Sequence, residues 1–130
     1  MKTSKYILLQ ILMLIALISC AQEQDDIVGV WSVDNSYYKA IYEIVEVDNK
    51  FYGKIHKYSD GKEEYIGNNK KEDYFLTDVE YKDGEYINGK MYMPDGTYYE
   101  VIFTIKDSNT LQVAMTVENY PYTETWIRKL

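Results

Sequence analysis

The sequence predicts an all-β protein, an eight-stranded antiparallel up-and-down barrel, and three observations carry that prediction. From Ile27 onward apolar and polar residues alternate, which is the period of a strand with one buried face. Turn residues interrupt the alternation at short intervals. Nowhere in that stretch do apolar residues recur at the 3.6 spacing of a long helix.

The strands run in order. Ile27–Val33 and Lys39–Val47 come first, and the second stops at Asp48-Asn49. Phe51–Tyr58 ends at Asp60-Gly61, and the polar residues 67–73 form the longest loop. Phe75–Lys82, Glu85–Met93 and Thr97–Ile105 are joined through Asp83-Gly84 and Pro94-Asp95-Gly96. Asp-Gly favours the positive dihedrals of a tight hairpin, so these strands are antiparallel neighbours. Thr110–Val117 and Tyr122–Arg128 complete the set, entered through Asp107-Ser108-Asn109 and Glu118-Asn119-Tyr120-Pro121.

Parity assigns the inner face. Tyr99, Val101, Phe103 and Ile105 fall on one side, as do Leu111, Val113, Met115 and Val117, and Phe75, Thr77, Val79 and Tyr81. Eight sequential strands with one apolar face each remove their edges by closing. Lys54, Asp78, Glu80, Lys82 and Glu100 fall on the outer face, so there is no continuous lipid-facing band of the kind an outer-membrane pore carries.

The first residues are of a different kind. Met1–Lys5 carries two lysines, and Tyr6–Ile18 is apolar except for Gln10. That run is shorter than the roughly 20 residues needed to span a bilayer, so it reads as a signal peptide over residues 1–19. Leu17-Ile18-Ser19-Cys20 resembles a bacterial lipobox, with Cys20 as the lipidation site. Ser19 and Ala21 also suit ordinary signal peptidase, whose cut after Ala21 would discard the thiol and release a soluble periplasmic or secreted protein. Cys20 is the sole cysteine, and a lipid anchor accounts for it directly. The resulting expectation is an outer-membrane lipoprotein facing the periplasm or the cell surface. Its residues 20–26 form an acidic tether and residues 27–130 a single barrel domain.

Charge narrows the partners. Removing Lys2 and Lys5 from 14 basic residues leaves 12 against 21 acidic ones, a net charge of −9. Such a chain is repelled by phosphate backbones, so nucleic acid is not an expected partner. Fourteen of the fifteen tyrosines lie beyond the signal, where large rings suit half-buried pleated surfaces.

Several motifs together resemble the DUF2147 family of exported bacterial proteins. They are Asp26–Trp31, Phe51-Tyr52-Gly53-Lys54-Ile55, Asp83-Gly84 with Gly89–Tyr92 and Asp95–Tyr99, and Asn109-Thr110-Leu111 with Thr125–Arg128. The resemblance covers roughly residues 25–130 and implies a lipocalin/calycin-like barrel, with no settled biochemical role to carry over. The middle, Asp60–Asp73, is shorter than in many members, which carry a Pro-containing insertion there. Gly29, Trp31 and Arg128 also resemble the closed-end signature of lipocalins, a structural clasp in which the arginine covers an indole. Trp126, two residues from Arg128, is the alternative ring.

Sites of chemistry are sparse. His56 is the only histidine and has outward parity with Tyr52, Lys54 and Tyr58. Without a second histidine or a free cysteine there is no nucleophile–base pair and no zinc set, so neither catalysis nor a cofactor or metal is expected. Glu63-Glu64 and Glu72-Asp73 read as solvated loop charges, and Asp107-Ser108-Asn109 as a turn. The barrel interior is the remaining candidate, since eight strands leave a lumen that is either filled or holds one small ligand. Phe51, Phe75, Val101, Phe103 and Met115 would line it for a small apolar or amphipathic molecule, with Gly53 and Gly89 making room or simply letting strands coil. The rival is a surface-interaction module with a filled core, meeting a protein or glycan partner through Tyr52, Tyr58, Tyr92 and Tyr98.

Overall fold

The computed structural model describes residues 24–67 and 74–130. Cys20, the apolar leader and most of the loop at 67–73 lie outside the described residues. Among the described residues a 3₁₀ turn, Gln24–Ile27, precedes nine strands. These are β1 (Gly29–Asp34), β2 (Lys39–Val47), β3 (Lys50–Ser59), β4 (Glu64–Ile66), β5 (Tyr74–Lys82), β6 (Glu85–Tyr92), β7 (Tyr98–Asp107), β8 (Thr110–Val117) and β9 (Tyr120–Arg128). Ile27, expected in the first strand, belongs to the 3₁₀ turn and is fully buried.

Eight of the strands close into an antiparallel up-and-down barrel. Each pairs with its neighbour, β9 returns to β1 through Trp31–Arg128 and Ser32–Ile127, and β3 pairs with both β2 and β5. The ninth, β4, lies outside the ring. β3 pairs with β5 only through Phe51–Lys54, and its last residues, Lys57–Ser59, pair instead with β4. The wall therefore divides near the end of β3.

The two ends of the barrel differ. At one end lie the tight turns Asp48-Asn49 and Asp83-Gly84, which take the positive dihedrals expected of them, and the Ser108-Asn109 turn. The 3₁₀ turn packs across this end, with Gln24 bonded to Asn49 and the Tyr86 hydroxyl donating to the Gln24 carbonyl at 2.9 Å. At the other end lie the β1–β2 connection, β4, the Pro94-Asp95-Gly96 turn and Glu118-Asn119.

The core fills the closed end. Trp31, Ile44, Phe51, Leu76, Val79, Tyr86, Val101, Phe103, Leu111, Val113 and Trp126 are buried essentially completely. Rings meet edge to face, Phe51 on Tyr86 at 5.6 Å and Phe103 on Trp126 at 5.3 Å, the geometry that aromatic quadrupoles favour.

Three local irregularities redirect side chains that simple alternation misplaces. The β2–β3 register slips between Ile41 and Tyr42, so His56 is an extra residue on β3 and Tyr58 comes opposite buried Ala40. Tyr58 is thus partly buried against the core, not on the outer face. On β5, Asp78 takes φ +60°, and Leu76 shares the buried face with Val79 where alternation had placed Thr77. In the facing stretch of β6, Asn88 takes φ +62°, which turns Tyr86 and Gly89 inward together.

Candidate functional site

Arg128 organises the closed end. Its Nε donates to the Ser108 carbonyl and Nη1 to the Val28 carbonyl, both at 2.9 Å, and Nη2 donates to the Asp26 carbonyl. The guanidinium lies 4.3 Å from the centre of the Trp31 ring, and the Trp31 indole N–H donates to the Ile27 carbonyl. Trp31 is therefore the ring that Arg128 covers. Trp126 lies in the core on Tyr42 and Phe103. Gly29 has φ +141°, and a Cβ there would come within 2.6 Å of Arg128 Nη1. This position needs glycine for both its backbone and its space.

The opposite end holds a cavity of about 760 Å³ that opens to solvent, within the usual range for a small-molecule site of ~300–1,000 Å³. It lies where β3 parts from β5. Tyr42, Tyr58, Tyr74 and Phe75 contribute aromatic walls, and Ile55, Met91 and Met93 contribute aliphatic and thioether surface. Phe75 packs on Tyr42 at 4.4 Å, which fixes the junction between cavity and core. Asp60, Glu63 and Glu64 line the rim, as does Lys54, whose ammonium sits 5.6 Å over the Tyr74 ring. Asp60 accepts from the backbone N–H groups of Lys62 and Glu63, and these bonds, that of Glu63 foremost, hold its carboxyl below the usual range.

Beside this cavity an inward carboxylate is tied into the barrel. Glu124 Oε1 accepts from the Tyr38 hydroxyl at 2.5 Å and the Trp126 indole N–H at 2.9 Å, and Oε2 accepts from the Tyr122 hydroxyl at 3.0 Å. All three donors are neutral. Tyr38 stacks on Tyr58 at 5.4 Å, linking the knot to the cavity wall. Burial, followed by neighbouring groups that include Glu124, pushes the phenols of Tyr38, Tyr42 and Tyr58 upward, and that of Tyr122 up to about 12.

Of the five residues expected to line a ligand site, Phe75 borders the cavity. Phe51, Val101 and Phe103 are sealed in the packed core, and Met115 is partly buried against it. The two inward glycines do not make the room. A Cβ on Gly53 would meet Leu76 Cβ at 2.9 Å, and one on Gly89 would meet Val79 and Val101 at 2.8 and 2.9 Å. Their space is filled by neighbours. Sequence reasoning missed Tyr38, Ile55, Tyr58 and Glu124. Glu124 was legible, because it shares the inward parity of Tyr122 and Trp126 on the last strand.

Elsewhere the polar residues make surface contacts. His56 pairs with Glu43 at 2.8 Å on the outside of the sheet. Tyr52 meets Tyr74 and Tyr92 meets Tyr98 in tilted ring contacts, with Tyr74 and Tyr92 also reaching the cavity. Asp107 caps its own turn through the Asn109 N–H. Among the described residues no three His, Cys, Asp or Glu side chains gather as a metal set.

No family model matches this chain, and no curated protein matches it. A solved structure does. It is that of protein HP1028 from Helicobacter pylori, described as belonging to the lipocalin family, with 21% identity and a TM-score of 0.63 over 80% of this chain and 83% of that one. Closure, strand order and this similarity together make the fold an all-β, lipocalin-like barrel.

Proposed function

We propose that this chain is a non-catalytic envelope lipoprotein of the DUF2147 type whose barrel mouth takes a small, amphipathic molecule. The observation that carries this reading is the 760 Å³ cavity, walled by rings and thioethers at one end and floored by a packed core. A site of that form buries an alkyl or aryl group at about 0.8 kcal/mol per methylene. A chain of eight to twelve carbons then reaches micromolar affinity after the costs of association. The lipocalin-like architecture is consistent with such a role.

The binding half of this reading is tested by titrating a fluorescent amphiphile into the purified protein. Saturable uptake is expected, and Ile55→Trp, which places an indole in the cavity, should weaken it at least tenfold without unfolding the barrel. Absence of saturable uptake would favour the surface-interaction module instead. The envelope half is tested by metabolic labelling with an acyl probe. Label on the wild type and its loss in Cys20→Ser are expected, whereas an unlabelled product beginning at Gln22 would show cleavage after Ala21.

A further inference from the structure

We propose that the polar end of this ligand is a cation, and that the mouth selects an amphiphile carrying an alkylammonium or quaternary ammonium group. The inference rests on the mouth being a binding site, and it adds the sign and chemistry of what binds there.

The cavity has more negative than positive charge. Asp60, Glu63 and Glu64 line it against one lysine, Lys54, which already lies over the Tyr74 ring. Among the described residues none of those three carboxylates, nor Glu124, makes an ion pair. Glu124 adds a negative charge from inside the barrel, solvated there by two phenols and an indole and by no cation. A partly buried carboxylate satisfied only by neutral donors keeps its field, and that field reaches further in the less polarisable lumen than in water.

The walls agree in sign with the rim. Tyr42, Tyr58 and Phe75 present ring surfaces, and the face of an aromatic ring attracts a cation while repelling an anion. A fatty carboxylate seated here would meet rings and three acids, with Lys54 and, beside Asp60, Lys62 as countercharges among the described residues. An ammonium would meet complementary partners on both sides. The Tyr58 phenol reports the same field, since burial raises it first and the Asp60, Glu63 and Glu124 carboxylates then raise it further. A potential that opposes a phenolate at the cavity wall favours an ammonium beside it.

The test uses three probes with one eight-carbon tail: octyltrimethylammonium, octanol and octanoate. Each is titrated calorimetrically, below its micelle concentration, into the purified protein in detergent-free buffer at neutral pH. The cation is expected to bind about tenfold tighter than the alcohol and the carboxylate most weakly, with the preference shrinking as salt is raised. In the rim variant Asp60→Asn/Glu63→Gln/Glu64→Gln the cation-to-alcohol ratio should fall at least threefold. Asn keeps the Asp60 turn acceptor, and the rim residues are exposed, so the variant should fold. Equal binding of cation and alcohol, tighter binding of octanoate, or an unchanged ratio in the rim variant overturns the inference and leaves the binding site standing. No saturable binding of any probe removes the binding-site reading itself, and this inference with it.

Discussion

Arg128→Ala should destabilise the barrel by about 2–3 kcal/mol, and the structure supplies the terms. The guanidinium makes three hydrogen bonds to backbone carbonyls of two separate segments, Asp26 and Val28 ahead of β1 and Ser108 between β7 and β8. At this partly exposed position each contributes roughly 0.5–1 kcal/mol net. The contact with the Trp31 ring adds about 0.5–1 kcal/mol. Water reaching the freed carbonyls offsets the top of that range. For a domain of this size the loss corresponds to a fall in Tm of roughly 10–20 °C. Urea unfolding followed by tryptophan fluorescence measures it directly. Arg128→Lys should recover less than half, because an ammonium cannot reach three carbonyls in a fixed fork. Gly29→Ala tests the same contact from the other side, since its methyl would collide with Nη1. The double variant should cost at least 1 kcal/mol less than the sum of the singles, because the collision disappears with the guanidinium. Stability within about 0.5 kcal/mol of wild type in Arg128→Ala, or strict additivity in the cycle, would refute the clasp.

Three further outcomes concern the interior. Tyr38→Phe removes a hydrogen bond to a carboxylate and should cost about 1–2 kcal/mol in the same urea assay, with Tyr122→Phe costing less because that bond is longer and more exposed. Gly89→Ala pushes a methyl against Val79 and Val101 and should cost about 1–3 kcal/mol by overpacking; a neutral or stabilising result would mean the core has slack there. Burial holds the phenols of Tyr58 and Tyr122 above their unfolded value, the latter at about 12. The folded chain therefore keeps protons that the unfolded chain releases, so stability is full below about pH 10 and falls as pH climbs toward 12. Urea midpoints between pH 9 and 11.5 should decline while tyrosinate absorbance lags behind that of free tyrosine. A flat midpoint through that range would contradict the burial of these phenols.

Much of the barrel was legible because one rule, alternation, governs most of its wall. β7 as far as Ile105 and β8 from Leu111 obey that rule, and Val101, Phe103, Leu111 and Val113 are buried as parity places them. The rule fails where a strand carries an extra residue. His56, Asp78 and Asn88 each shift the parity of neighbouring residues on their own strands, and nothing in the composition of those strands marks them beyond the tolerance of Asp and Asn for positive φ. The cavity was misplaced for a related reason. Parity says which side chains point inward but not how far along the axis packing fills, and the large rings of Trp31, Phe51, Phe103 and Trp126 fill the closed end. What remains open is set by β3 changing partner from β5 to β4, a three-residue pairing too short to announce itself in the sequence.

The placement of the chain ends decides how the barrel is presented. The 3₁₀ turn and the last residues of β9 are bound to one another through Arg128, at the end opposite the cavity. Anything attached ahead of Gln24 or behind Leu130 therefore leaves from the barrel's base. Were Cys20 lipidated as proposed, the tether would join the barrel at this base and leave the opening at the far end unobstructed. The same polarity makes the C-terminus the natural point for immobilisation in a binding assay, since a surface linked there leaves the opening unobstructed.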